Sequence, residues 1–143
     1  LTRPGKLSPG FRAPDVDGKE YVLADFRGRY VYIDMWATWC GPCKREIPFL
    51  KELEEEFKDA QIVFIGLSVD KDKAAWEKMV RSGALSGIQL YLGTGSSFQE
   101  AYRVEGIPRF MLLDKDGRII SNDMSRPSDP ETARTLRNLE GIR

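Results

Sequence analysis

The sequence predicts an α/β domain with a central mixed β-sheet flanked by helices. A hairpin extends it at the N-terminus, and a helix and a strand are inserted after the second parallel strand. Three observations lead there. Residues 30–36 are apolar on both parities except for Asp34, the pattern of a strand covered on both faces. A helix-period segment follows directly and a second apolar, β-branched run occupies 62–69, so strand, helix and strand form a right-handed parallel crossover. Later, 110–113 and 118–121 flank Asp114-Lys115-Asp116-Gly117, the composition of an antiparallel hairpin loop, which makes the sheet mixed.

Taken in order, Pro4, Gly5, Pro9, Gly10 and Pro14 give the start of the chain an extended character. Residues 1–7 are read as a lead-in and 8–143 as one domain. The stretch 16–23 is interrupted by Asp17-Gly18, a strong turn dipeptide, and predicts a short hairpin. From Gly41 to about Phe57, Ile47, Leu50, Leu53 and Phe57 fall at helical spacing, with charged residues between them and a kink expected at Pro48. Asp72 can cap the next helix, Trp76, Met79 and Val80 form its stripe, and Gly83 can end it. Residues 89–92 read as a short strand. Ser97 with Glu100 then suggests a capping box for a helix that Gly106 ends. Asp129-Pro130 starts a last helix, whose Ala133, Leu136 and Leu139 face inward.

With 143 residues the chain suits one core, large enough to need no disulfide scaffold or structural metal. Lysine plus arginine and aspartate plus glutamate both number 22, and no segment concentrates basic residues with aromatics, which disfavours a nucleic-acid or anionic-membrane footprint. Histidine is absent, so every arrangement that needs an imidazole base is excluded. Two cysteines leave too few soft ligands for an ordinary zinc site, and no metal is expected. The longest uncharged stretch, 82–99, holds four glycines and four serines and cannot be a transmembrane helix. The chain starts at Leu1 and shows no apolar signal region, so a mature form or a fragment of a longer product is expected.

The chemistry concentrates at Trp39-Cys40-Gly41-Pro42-Cys43, where a buried strand turns into a helix. Cys40 falls at the helix N-terminus and Cys43 one turn inside. Unpaired N–H groups and the helix dipole stabilise a thiolate at Cys40, the nucleophile of disulfide exchange, and Cys43 is close enough to close a ring and release the substrate. An inert disulfide would close too small a loop to stabilise much, and a zinc knuckle would need two ligands from another chain.

The run from Trp36 to Cys43 resembles the signature of the thioredoxin superfamily. Ala13-Pro14-Asp15, Asp17-Gly18-Lys19, Phe26-Arg27-Gly28-Arg29, Cys43-Lys44-Arg45-Glu46-Ile47-Pro48 and Ser68-Val69-Asp70 look like its TlpA/ResA-like branch. Together they cover roughly residues 8 to 122. The resemblance implies a thioredoxin-like fold and a cis bond before Pro108, with Ile107 and Pro108 facing the cysteines and pairing with bound peptide. Arg109 departs from the small hydroxyl residue common after that proline; it alters partner choice or is simply solvated.

Two acids compete to handle the proton of Cys43. Asp34 matches the buried aspartate of thioredoxins, and Glu46 matches the glutamate that follows the cysteine motif in ResA-like proteins. Helical side chains lean toward the N-terminus, so Glu46 should cover the turn holding Cys43. Trp39 is assigned to substrate contact, with Gly41 and Pro42, and Trp36 to packing.

The resulting expectation is thiol-disulfide exchange on protein disulfides: Cys40 attacks, a mixed disulfide forms, and Cys43 resolves it. No cofactor is needed beyond the cysteine pair. Gly41-Pro42 resembles the reducing thioredoxins and favours a reductase. The rivals are a redox-responsive binding module and a peroxiredoxin-like peroxidase. A monomer is expected, and the resemblance further implies a setting outside the bacterial cytoplasm, with disulfide-bearing partners such as apocytochromes and an upstream thiol electron donor.

Overall fold

The computed structural model describes residues 1–143. β1 (Arg12–Pro14) and β2 (Glu20–Val22) form the antiparallel N-terminal hairpin. Its turn holds Gly18 at φ +85°, and Asp15 Oδ1 accepts the N–H groups of Asp17 and Lys19. A 3-10 turn, Leu23–Phe26, leads into β3 (Tyr30–Trp36). There follow α1 (Gly41–Arg45), α2 (Ile47–Glu56), β4 (Ile62–Ser68), α3 (Lys73–Arg81), β5 (Ile88–Tyr91) and α4 (Ser97–Ala101). The chain closes with β6 (Arg109–Leu113), β7 (Ile119–Ser121) and α5 (Pro130–Arg137).

Five strands make the central sheet in the order β5-β4-β3-β6-β7. β3, β4 and β5 run parallel, whereas β6 is antiparallel to β3 and β7 to β6. The inserted α3 and β5 extend the parallel side, as expected from the sequence. Residues 5–8 do not hang free: Gly5 N–H donates to Ile119, the Lys6 carbonyl accepts from Ile119, and Ser8 N–H donates to Gly117.

The alternation of β3 sorts the core into two faces. Val31, Ile33 and Met35 join Val63, Ile65, Trp76, Phe98 and Met111 on one side; Tyr32 joins Leu53, Phe57, Phe64, Phe110 and Leu136 on the other. Asp34 shares the parity of Tyr32 and so faces α2.

One expected local feature is present, and two others depart from the expected pattern. The helix after Cys40 is interrupted at Glu46, because Pro48, at the start of α2, has no N–H to give the carbonyl of Lys44. The cap of α4 is Ser96, whose Oγ accepts Gln99 N–H at 3.0 Å, rather than Ser97. Gly106 does not end that helix either. Arg103 takes the left-handed position at φ 52°, Val104 N–H donates to Gln99 and Arg103 N–H to Glu100, a Schellman closure with arginine where glycine is usual.

Candidate active site

The end of β3 delivers residues 36–39 to the first turn of α1. Asp70, just past β4, is what shapes that link. Its carboxylate is 1% exposed and accepts from Thr38 N–H at 3.0 Å, Thr38 Oγ1 at 2.7 Å and Ser68 Oγ at 2.6 Å. A buried carboxylate is tolerated when donors surround it, and these donors hold the loop that carries Trp39 and Cys40. Trp39 is 70% exposed, whereas Trp36 is 3% exposed and packed in the core.

Cys40 and Cys43 form a disulfide with their Cα atoms 5.3 Å apart. Both residues are 4% exposed in this form, so accessibility does not separate them. Their surroundings do. Cys40 is the N-cap residue of α1: its Sγ accepts Cys43 N–H at 3.2 Å and lies 3.9 Å from the carbonyl oxygen of Ile107. Pro42 sits in the first turn, where a missing N–H costs nothing. Cys43 instead lines a small cavity that opens toward α2. The Ile107–Pro108 bond is cis, as the resemblance implied. Arg109 is not solvated: it donates to the carbonyls of Asn122 and Tyr102 and ties the loop after α4 to the end of β7.

The cavity beneath Cys43 measures about 20 Å³, room for a water molecule. Among its lining residues are Asp34, Trp36, Cys43, Lys51, Glu54 and Gln89. Asp34 keeps some solvent contact as a residue, but protein surrounds its carboxyl, and that enclosure governs its acidity. Desolvation, with smaller contributions from the charges of Glu54 and Glu46, pushes the Asp34 carboxyl up to about 8. Near neutral pH it can therefore hold or release a proton, which suits a group exchanging one with a thiol.

Glu46 takes another position. It is 6% exposed at the break between α1 and α2, and its carboxylate accepts Ser128 N–H at 2.9 Å and Ser128 Oγ at 2.8 Å. It does not line the cavity that Cys43 and Asp34 share. The structure thus brings together Cys40, Cys43 and Ile107 on one side, and Cys43 with Asp34 on the other. Sequence reasoning missed Gln89 and Ser128, and it reads Glu54-Glu55-Glu56 as a solvated helix face, whereas Glu54 is half-buried against Ser86 at the cavity. It singled out Asp70 only as part of a resembling motif, although an acid directly after an apolar strand was a signal available for closer reading.

The Redoxin family model matches residues 3–140 of this chain.

The chain belongs to the Redoxin family.

Among Redoxin-related sequences it is 34% identical over 116 residues to the thiol-disulfide oxidoreductase ResA of Bacillus thuringiensis subsp. konkukian, a match covering 81% of this chain and 66% of that one. The chain thus spans just under two thirds of the length of that curated relative. Among solved structures it resembles a candidate thiol-disulfide oxidoreductase from Bacteroides vulgatus, with TM-score 0.82 and 56% identity, covering 94% of this chain and 89% of the other. The thioredoxin domain of another Bacteroides vulgatus thiol-disulfide oxidoreductase superposes with TM-score 0.82 at 25% identity, covering 96% and 97% of the two chains. The mixed sheet with its flanking helices is therefore a thioredoxin-like fold.

Proposed function

We propose that this Redoxin-family chain is a thiol-disulfide oxidoreductase that reduces disulfides in protein substrates through Cys40 and Cys43. The observation that carries this reading is the asymmetry of the pair: Cys40 receives an N–H at the helix start and faces Ile107, while Cys43 faces the cavity of Asp34.

In the reduced protein the Cys40 thiolate attacks one sulfur of the substrate disulfide, forming a mixed disulfide and releasing the first substrate thiolate. Asp34, as carboxylate, accepts the proton of the Cys43 thiol. The Cys43 thiolate then attacks Cys40 Sγ, closing the Cys40–Cys43 bond and releasing the second substrate thiolate, which solvent protonates. The substrate gains two electrons and the cysteine pair loses them; an upstream dithiol donor restores the reduced state. No group beyond the cysteine pair is required.

Trp39, Gly41, Pro42, Ile107 and Pro108 are assigned to the substrate surface, with the Ile107 backbone beside the reacting sulfur. Asp34 is the proton acceptor, and Glu46 is a positioning residue that holds the helix break against Ser128. The names of the relatives fit disulfide-bearing partners; the resemblance to the TlpA/ResA-like branch adds a setting outside the cytoplasm and apocytochromes as one class of partner.

The test is turnover: with a protein disulfide and excess dithiol, the parent should accelerate reduction catalytically and Cys40→Ser should not. Stoichiometric oxidation of the pair without turnover would assign the chain to redox-responsive binding instead.

A further inference from the structure

Across the sheet, Asp34 pairs with Gly66 and Gly66 with Gln89, so the three residues form one row on the face covered by α2. Gly66 leaves the middle of this row without a side chain, and the Gln89 amide fills the gap. A Cβ on Gly66 would stand 2.2 Å from Gln89 Oε1. Gln89 Nε2 donates to the Ser86 carbonyl at 2.8 Å, which fixes the amide orientation. Its Oε1 is buried without a hydrogen-bond partner, as is Nε1 of Trp36, and both residues line the cavity that holds Asp34. A cavity of this size, with an unpaired donor and acceptor among the residues around it, is suited to a water that links its walls.

Glu54 of α2 lines the same cavity from the solvent side. It is half-buried, accepts Ser86 Oγ at 2.7 Å, and stands over Gly87, where a Cβ would lie 2.5 Å from its Oε2. The full set of charged or titratable groups around Asp34 is Tyr32 on its own strand, Cys43 from α1, Glu46 at the helix break, and Lys51 and Glu54 from α2; β5 contributes only the neutral Gln89.

We propose that Glu54 is the second carboxyl of this site and governs when Asp34 can take the proton of Cys43, acting across the cavity that Gly66 opens and Gln89 lines. The inference rests on the role assigned above to Asp34. Two carboxylates facing one partly desolvated space resist being charged together, so a charged Glu54 favours the protonated form of Asp34. The Glu54 carboxyl is itself shifted upward by burial, against the opposing effects of the Ser86 hydroxyl and the Lys51 ammonium. Glu54 does not touch the sulfurs; it is a positioning residue that works through charge.

The experiment follows the 13C shift of the Asp34 carboxyl against pH in the oxidised parent and in Glu54→Gln, alongside the rate at which Cys43 resolves a preformed mixed disulfide in the reduced proteins. Removing the charge should move the Asp34 midpoint toward acid by about half a pH unit or more, and speed resolution at pH 7 by about threefold. A merely structural Glu54 would lower the rate at every pH and leave the midpoint in place, which overturns the proposal while sparing the role of Asp34. If Asp34 of the parent titrates as an ordinary carboxylate, near 4, the proton-acceptor reading itself fails, and this inference with it.

Discussion

In the disulfide form the backbone N–H of Cys43 points at the sulfur of Cys40 across 3.2 Å, a donor placed to support the thiolate proposed for Cys40 once the pair is reduced. This contact uses the main chain and survives loss of the Cys43 thiol. Cys43→Ser should therefore still attack a protein disulfide but accumulate the mixed disulfide on Cys40, seen as a covalent adduct by intact mass spectrometry. Turnover equal to the parent's would contradict a two-cysteine mechanism.

Asp34 links the site to stability. Its folded value of about 8 lies above the ordinary aspartate value of 3.8, so the folded state binds the proton more tightly than the unfolded chain does. Its contribution is fully present below the unfolded value and is lost as pH rises through the folded one. The corresponding upper limit is on the order of 6 kcal/mol once both states are ionised. Asp34→Asn should stabilise the protein by roughly 2–4 kcal/mol at pH 9 and by little at pH 4, while slowing resolution of the mixed disulfide. Urea unfolding at the two pH values checks the stability difference.

Glu46 behaves differently. As a surface helical acid it would tolerate Glu46→Gln without loss, but its carboxylate receives two hydrogen bonds from Ser128, 82 residues away in sequence. Glu46→Gln should cost about 1 kcal/mol, and Glu46→Ala about 2–3 kcal/mol, because the Ser128 N–H then loses its partner. Ser128→Ala in the Glu46→Ala background should add little, which a double-mutant cycle reads directly.

Asp70 has no contact with either sulfur, yet it holds Thr38 by both N–H and hydroxyl. Asp70→Ala should destabilise the fold by about 2–4 kcal/mol and slow attack by Cys40, since the loop carrying Trp39 loses its anchor. Increased protease cleavage or hydrogen exchange confined to residues 37–40 would mark the effect as local.

Much of this was legible in the sequence because it depends on short-range pattern. The two-sided apolar run of β3, the turn at Asp17-Gly18, the cap at Asp72 and the cysteine pair at a strand-to-helix junction each follow from a few adjacent residues. What remained hidden depends on register or distant closure. The row Asp34–Gly66–Gln89 exists only once β3, β4 and β5 are aligned. The Glu46–Ser128 contact requires α5 to return beside α2, and the end of α4 falls on Arg103 because a Schellman closure outweighs the preference for glycine.

The most direct test of the central claim is the order of alkylation in the reduced protein. Cys40 and Cys43 are equally buried in the disulfide, so preference must come from position: Cys40 at the helix start with an N–H directed at its sulfur, Cys43 turned into the cavity. With substoichiometric iodoacetamide near neutral pH, peptide mapping should find the label on Cys40, with several-fold preference over Cys43. Equal labelling, or a label chiefly on Cys43, would contradict the assignment of Cys40 as the attacking thiolate.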